Sequence, residues 1–202
     1  CSSLTNVAIT GGMTSIARYA FANCSNLRSI VLPSGLTNVG EAAFAGCSSL
    51  ASIVLPDGLT NIGDAAFSGC SSLDSITLPA GLTNLGSEVF YNCIRLTHIS
   101  IPNAVEMIGQ SAFAYCWNLT TATIGNGLKS IPIGLFQSCS SLVEVTIGDA
   151  VTAINADAFA GCSGLTNLSI PKAVTTIGEN AFARCTSLLT VSVPSGVVSI
   201  GR

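Results

Sequence analysis

Nine cysteines recur at intervals of 23 residues: Cys1, Cys24, Cys47, Cys70, Cys93, Cys116, Cys139, Cys162 and Cys185. A thiolate is both a nucleophile and a metal ligand, so the pattern raises three chemistries: a disulfide framework, a metal site and a thiol paired with a base. The spacing answers each. There is no C-x-x-C, so zinc and redox motifs lose their geometry, and no metal or cofactor is expected. Cysteines stacked one repeat apart would lie about 5 Å from each other, within reach of a disulfide. Nine is an odd number, however, and a core-phase leucine follows the cysteine by three residues in every repeat. Free, buried thiols behaving as small hydrophobes are the expectation. His98, the single histidine, follows Cys93 by five residues. It stands at a position that should face outward while the cysteine faces the core, so no nucleophile–base pair is expected. No carboxylate pair, glycine-rich phosphate loop or G-x-S-x-G occurs, and no catalytic residue is assigned.

The cysteines instead mark a repeat, and a period of 20 to 50 residues signals a solenoid. With cysteine as column 1, eight full repeats and a partial ninth align without insertion over residues 1–202, read as a single array. All eight phenylalanines share column 21, from Phe21 to Phe182, and column 4 is leucine in all nine repeats. Columns 7, 9, 13 and 16 are aliphatic, with Ala122 the exception in column 7. Column 10 is usually proline, and column 17 usually glycine.

Columns 7 to 9 alternate apolar, variable, apolar, as in Ser75-Ile76-Thr77-Leu78, which predicts a short strand that the column 10 proline ends. Columns 11 and 12 carry turn residues, as in Asp57-Gly58. Columns 13 to 16 allow a second extended piece. Columns 17 to 23 suit a tight turn or one turn of helix. One repeat cannot bury these columns, but stacked repeats can. The fold class is therefore a β-rich solenoid of 23-residue coils, with stacked parallel β-sheets and short turn or 3-10 segments. At about 4.8 Å per coil the rod would be roughly 40 Å long.

Composition agrees. Half the residues are hydrophobic (49%) and only 8% are charged, yet the apolar residues are scattered and form no membrane-spanning segment. The seven basic residues are dispersed, so no nucleic-acid partner is expected. The first residue is Cys1, not methionine, and no targeting signal is visible; a segment of a longer protein is the expectation. Cys1-Ser2-Ser3 has the form of a mature lipoprotein start, although the repeat already accounts for Cys1. Three N-x-S/T sequons, at Asn23, Asn118 and Asn167, matter only in a eukaryotic secretory host.

The unit, nearly unbroken from Leu50 to Ser72, resembles the BspA-like (Treponema pallidum-type) leucine-rich repeat along the whole chain. The resemblance implies a right-handed solenoid with a parallel sheet lining one face. It also implies a secreted or cell-surface location, and adhesion to host or other cell-surface proteins. The asparagine of other leucine-rich repeat classes is replaced by Gly or Ala, as at Gly58 and Ala104, so no asparagine ladder is expected at that column. Repeats 6 and 7 drift: column 10 becomes Gly125 and Gly148, and column 17 becomes Pro132 and Asn155. Proline cannot adopt positive φ, so column 17 cannot require it, and the coil at Pro132 is expected to be locally reshaped.

Specificity in a solenoid lies where a repeat departs from its own pattern outside the core columns. Most turns read Cys-Ser-Ser, but repeats 5 and 6 read Cys93-Ile94-Arg95 and Cys116-Trp117-Asn118. Tyr91 and Tyr115 precede them. Tyr, Trp and Arg are enriched at interface hot spots, so Tyr91, Ile94, Arg95, Tyr115 and Trp117 form the candidate partner-binding patch. A second surface is the strand face carrying Thr97, His98, Ser100, Thr121, Thr123 and Asn167. The third is the pair of ends, where apolar columns begin at Leu4, Val7 and Ile9 and finish at Leu188, Val191 and Val193 without a polar cap. The function expected is a non-catalytic extracellular protein-binding or adhesion module. The alternative is a filament or surface-layer protein that stacks on itself through those ends.

Overall fold

A computed structural model describes Cys1 and residues 3–201; Ser2, the middle residue of the Cys1-Ser2-Ser3 start, and Arg202 lie outside the described residues. The chain winds as a β-solenoid whose successive coils stack in 23-residue register, as in Val7 opposite Ile30 and Ile99 opposite Ala122. All strand pairing is parallel among the described residues.

The predicted second extended piece is the more regular one. It narrows to two residues, columns 15 and 16. Ser15–Ile16, Asn38–Val39, Asn61–Ile62, Asn84–Leu85 and Met107–Ile108 form a five-stranded sheet along coils 1 to 5. Ser130–Ile131, Ala153–Ile154, Thr176–Ile177 and Ser199–Ile200 form a four-stranded sheet along coils 6 to 9. The predicted first strand, columns 7 to 9, is patchier and begins one residue earlier, at column 6. Asn6–Ala8 pairs with Ser29–Val31, and His98–Ile101, Thr121–Ile124, Glu144–Thr146 and Asn167–Leu168 form a four-stranded sheet. Coils 3 and 4 have no regular strand at these columns, although Ile53, Leu55, Ile76 and Leu78 are buried as expected. Pro56, Pro79 and Pro102 each remove a donor that Gly125 retains, its N–H donating to Ile101 O at 3.0 Å.

Columns 18 to 23 are successive turns and not a helical turn. Residues in columns 19 and 23 are left-handed in coil after coil, among them Ala42 (φ 50°), Glu88 (φ 56°) and Asp157 (φ 56°) in column 19 and Asn92 (φ 58°) in column 23. That alternation breaks any helical run. It also sends every second N–H to the next coil: Ala42 to Asp64 O, Phe44 to Ala66 O and Gly46 to Ser68 O, each at 2.8 Å. The residues between close tight turns internally, as Ala45 N–H does to Ala42 O at 3.1 Å.

Column 17 glycines have ordinary φ. They are required by close approach: a Cβ on Gly40 would stand 2.7 Å from the Arg18 nitrogen, and one on Gly86 2.5 Å from the Asp64 nitrogen. The core is one continuous cluster of columns 1, 4, 7, 9, 13, 16, 20 and 21. Phe44, Phe67, Phe90, Phe113, Phe136 and Phe159 are fully buried. Neighbouring phenylalanine rings stack at 5.2 to 5.7 Å, with ring planes within 3° to 22° of parallel.

Candidate functional site

The thiols are positioned first, because the repeat places them in the core. From Cys24 to Cys162 every cysteine is buried; Cys1 is exposed and Cys185 half-buried, and all nine are free. Each buried thiol from Cys47 onward donates to the carbonyl of the phenylalanine 26 residues earlier, at 3.1 to 3.2 Å. Burial pushes the Cys47 thiol up to about 11 and Cys116 up to about 12. Burial, then the neighbouring cysteines of the ladder, raises Cys93 and Cys139 well beyond the usual thiol range. These groups are neutral hydrogen-bond donors, the opposite of activated nucleophiles. His98 is exposed on its strand, with Nδ1 3.0 Å from the Thr97 hydroxyl, and its neighbour Cys93 is fully buried.

The patch of coils 4 to 6 lies on the turn edge. In the other coils column 2 is serine, or threonine at Thr186, and in three of them the serine hydroxyl donates to the column 2 carbonyl of the coil before: Ser48 to Ser25 at 3.3 Å, Ser71 to Ser48 at 3.4 Å and Ser163 to Ser140 at 3.3 Å. Ile94 and Trp117 give up that bond and present apolar surface instead. Trp117 is 49% exposed, Arg95 exposed and Ile94 half-buried. Tyr91 and Tyr115 occupy columns 22 and 23, and the diagonal offset brings them together with ring centroids 5.2 Å apart, tilted by 56°. Tyr115 is held in the left-handed region (φ 61°), a conformation uncommon for a bulky residue. Its N–H donates to Gln137 O at 2.8 Å, which fixes the turn that aims it.

The strand face is also as expected in its orientation. Thr97, His98, Ser100, Thr121, Thr123 and Asn167 are all exposed. In coils 2 and 3 the same face carries Val31 and Val54, 64% and 83% exposed.

One cluster is invisible in the column pattern. Arg18 and Glu41 form an ion pair at 3.0 Å, Tyr19 donates its hydroxyl to Glu41, and the Arg18 guanidinium lies 5.1 Å from the Tyr19 ring centre. The hydrogen bond from Tyr19, more than the charge of Arg18, holds the Glu41 carboxyl below its ordinary range. Tyr19 and Glu41 are 22 residues apart, one short of the period, and that offset was the available signal.

A family model described as a BspA type leucine rich repeat region matches residues 1–120 and 106–202, in six copies. Among solved structures, the T. pallidum leucine rich repeat protein is 35% identical over 80% of this chain and 78% of that one, with a TM-score of 0.75. A leucine rich cell surface protein from Faecalibacterium prausnitzii is 29% identical over 100% of this chain and 60% of that one, with a TM-score of 0.58. A leucine-rich repeat protein from Eubacterium ventriosum shares the fold at 21% identity, covering 97% of this chain and 81% of that one, with a TM-score of 0.64. No curated protein matches the chain.

Proposed function

The chain belongs to the BspA-type leucine-rich repeat family, and from that premise we propose that it is a non-catalytic protein-binding module of the cell surface, engaging a host or extracellular-matrix protein through the turn edge of coils 4 to 6. The observation that carries this reading is the paired Tyr91 and Tyr115 rings beside a half-exposed Trp117, in columns where other coils place small or polar residues. Aromatic side chains supply large contact area with few rotatable bonds, and Arg95 adds a planar donor at the rim. The surface location rests on the family and on the F. prausnitzii relative, which is described as a cell surface protein.

The test is binding of the 202-residue chain to a panel of immobilised extracellular-matrix proteins, repeated with Trp117→Ser and Arg95→Ala. The expected outcome is binding to at least one of them, weakened about tenfold or more by Trp117→Ser. Binding that both substitutions leave unchanged removes the patch, and binding to none removes the adhesion reading. A second reading, self-assembly, draws on coil 9, where Val193, Val198 and Ile200 are 46%, 83% and 61% exposed. There the partner is another copy of the chain, and sedimentation that stays monomeric from micromolar to millimolar concentration argues against it.

A further inference from the structure

Two seams run along the solenoid, and they exchange roles at one junction. On the column 14 to 17 side, each column 14 N–H donates to the column 14 carbonyl of the coil before: Thr83 to Thr60 at 3.0 Å, Glu106 to Thr83 at 3.0 Å and Thr152 to Lys129 at 2.8 Å. Each column 17 N–H does the same with column 16, as in Gly109 to Leu85 at 2.9 Å and Asn155 to Ile131 at 3.1 Å. Between coils 5 and 6 both bonds are missing among the described residues, and the two sheets of this side end against each other there, at Met107–Ile108 and Ser130–Ile131. Residue 132 is the cause. Every other coil from 2 to 9 carries glycine or asparagine at that column, and coil 6 carries a buried proline. Pro132 has no N–H to donate. Its ring also stands where a single Cβ would already clash: one on Gly109 would lie 2.2 Å from the Ser87 nitrogen. A cleft of about 380 Å³ opens here, with Glu106 and Lys129 in its lining. These two charged residues replace the threonines whose hydroxyls bridge coils elsewhere, as Thr83 does to Thr60 O at 3.0 Å.

The opposite seam does the reverse. A Cβ on Gly58 or Gly81 would have no neighbour nearer than 3.8 Å, whereas one on Gly127 would lie 2.4 Å from Asn103 O. The column 5 bond, 3.3 Å at the two junctions before (Asp74 to Ala51, Thr97 to Asp74), is 2.8 Å for Thr120 to Thr97, the length it also has for Arg28 to Thr5. The pairing of His98–Ile101 with Thr121–Ile124 runs four residues, and the Asn103 side chain accepts the Asn126 N–H at 2.9 Å.

We infer that Pro132 makes the junction of coils 5 and 6 a one-sided flexure, in which the wedge between neighbouring coils changes sides: the columns 5 to 12 act as a tight strap, and the columns 14 to 17 as an open slot. The turn bonds Ser111 to Ile133 O and Phe113 to Leu135 O, at 2.9 and 3.0 Å, bound the slot and keep the core closed. The slot is where the rod bends and where its main-chain amides are free to exchange.

Hydrogen exchange followed by NMR tests this directly on the whole chain. The Lys129 and Ser130 amides are expected to exchange about 100-fold or more faster than those of Thr83 and Thr152, since a bonded amide exchanges only through opening. Pro132→Gly restores the residue of six other coils, so it is expected to bring Lys129 into protection and to change the small-angle X-ray scattering profile. Pro132→Asn, which copies the residue that coil 7 carries at Asn155, serves the same purpose if the glycine variant folds poorly. Lys129 and Ser130 amides as protected as Thr83 in the native chain overturn the slot. A scattering profile unchanged on restoring the donor overturns the bend.

Discussion

The thiol of Cys70 donates to the main-chain carbonyl of Phe44 at 3.2 Å, and the same carbonyl accepts the Cys47 N–H at 3.1 Å. One buried oxygen is thus satisfied twice, by the turn that follows it and by the coil beyond. Cysteine suits the position because it is small, apolar and still a weak donor. The bond also ties the cysteine ladder to the phenylalanine ladder, so two of the three invariant columns are one structural device.

Ionisation of these thiols should make the protein alkali-sensitive. Burial raises their folded-state values, to about 11 for Cys47 and about 12 for Cys116, above an unfolded thiol near 9. A raised acid favours the folded state below the unfolded value, and the advantage is lost as pH climbs from about 9 through the folded values. Each such thiol contributes a slope of about 1.4 kcal/mol per pH unit in that window. Denaturant melts at pH 7, 9 and 10.5 should show stability flat to about 9 and falling steeply beyond, and a Cys116→Ala chain should show a shallower fall.

Accessibility should follow the same ladder. At pH 8 an alkylating reagent is expected to modify exposed Cys1 quickly and the buried cysteines from Cys47 to Cys162 only on unfolding. Mass spectrometry in denaturant without reductant should then find nine modified cysteines. Rapid native labelling of Cys93 or Cys139 is the result that contradicts a sealed core.

Phe113 stacks between Phe90 at 5.3 Å and Phe136 at 5.7 Å and is fully buried. Phe113→Ala should cost about 3–5 kcal/mol, from lost apolar burial and a cavity the neighbouring coils cannot close. A loss below about 1 kcal/mol in a denaturant melt is incompatible with a packed ring ladder.

Two glycines separate steric need from habit. A Cβ at Gly86 would meet the Asp64 nitrogen at 2.5 Å, whereas one at Gly58 has its nearest neighbour at 3.8 Å. Gly86→Ala should destabilise by more than about 1 kcal/mol through backbone displacement. Gly58→Ala should be neutral or raise stability by about 0.4–1 kcal/mol, because alanine restricts the unfolded chain. Thermal melts of the two variants give opposite signs if close approach, and not turn chemistry, keeps column 17 glycine.

The period, the register and the core were legible in the amino acids, because a solenoid's contacts run from residue i to i+23 and stacking turns a one-dimensional repeat into a core. Cys47, Leu50, Phe44 and Val39 are buried as their columns required. Pro132 was legible as a departure but for another reason: proline was set against a positive φ, whereas column 17 has ordinary φ and what Pro132 removes is the N–H that other coils donate there. The offsets of one residue from the period belong to the tertiary structure alone: Tyr91 meets Tyr115, and Tyr19 meets Glu41, across a diagonal that column alignment hides. The left-handed positions were equally hidden, because Ala42, Glu88 and Asp157 carry no glycine to announce them; bonds to the next coil impose that backbone. Where the ladders break was also decided in three dimensions: the column 15 to 16 sheet stops between coils 5 and 6, where Pro132 has no N–H to donate, while His98–Ile101 pairs with Thr121–Ile124 straight across that junction.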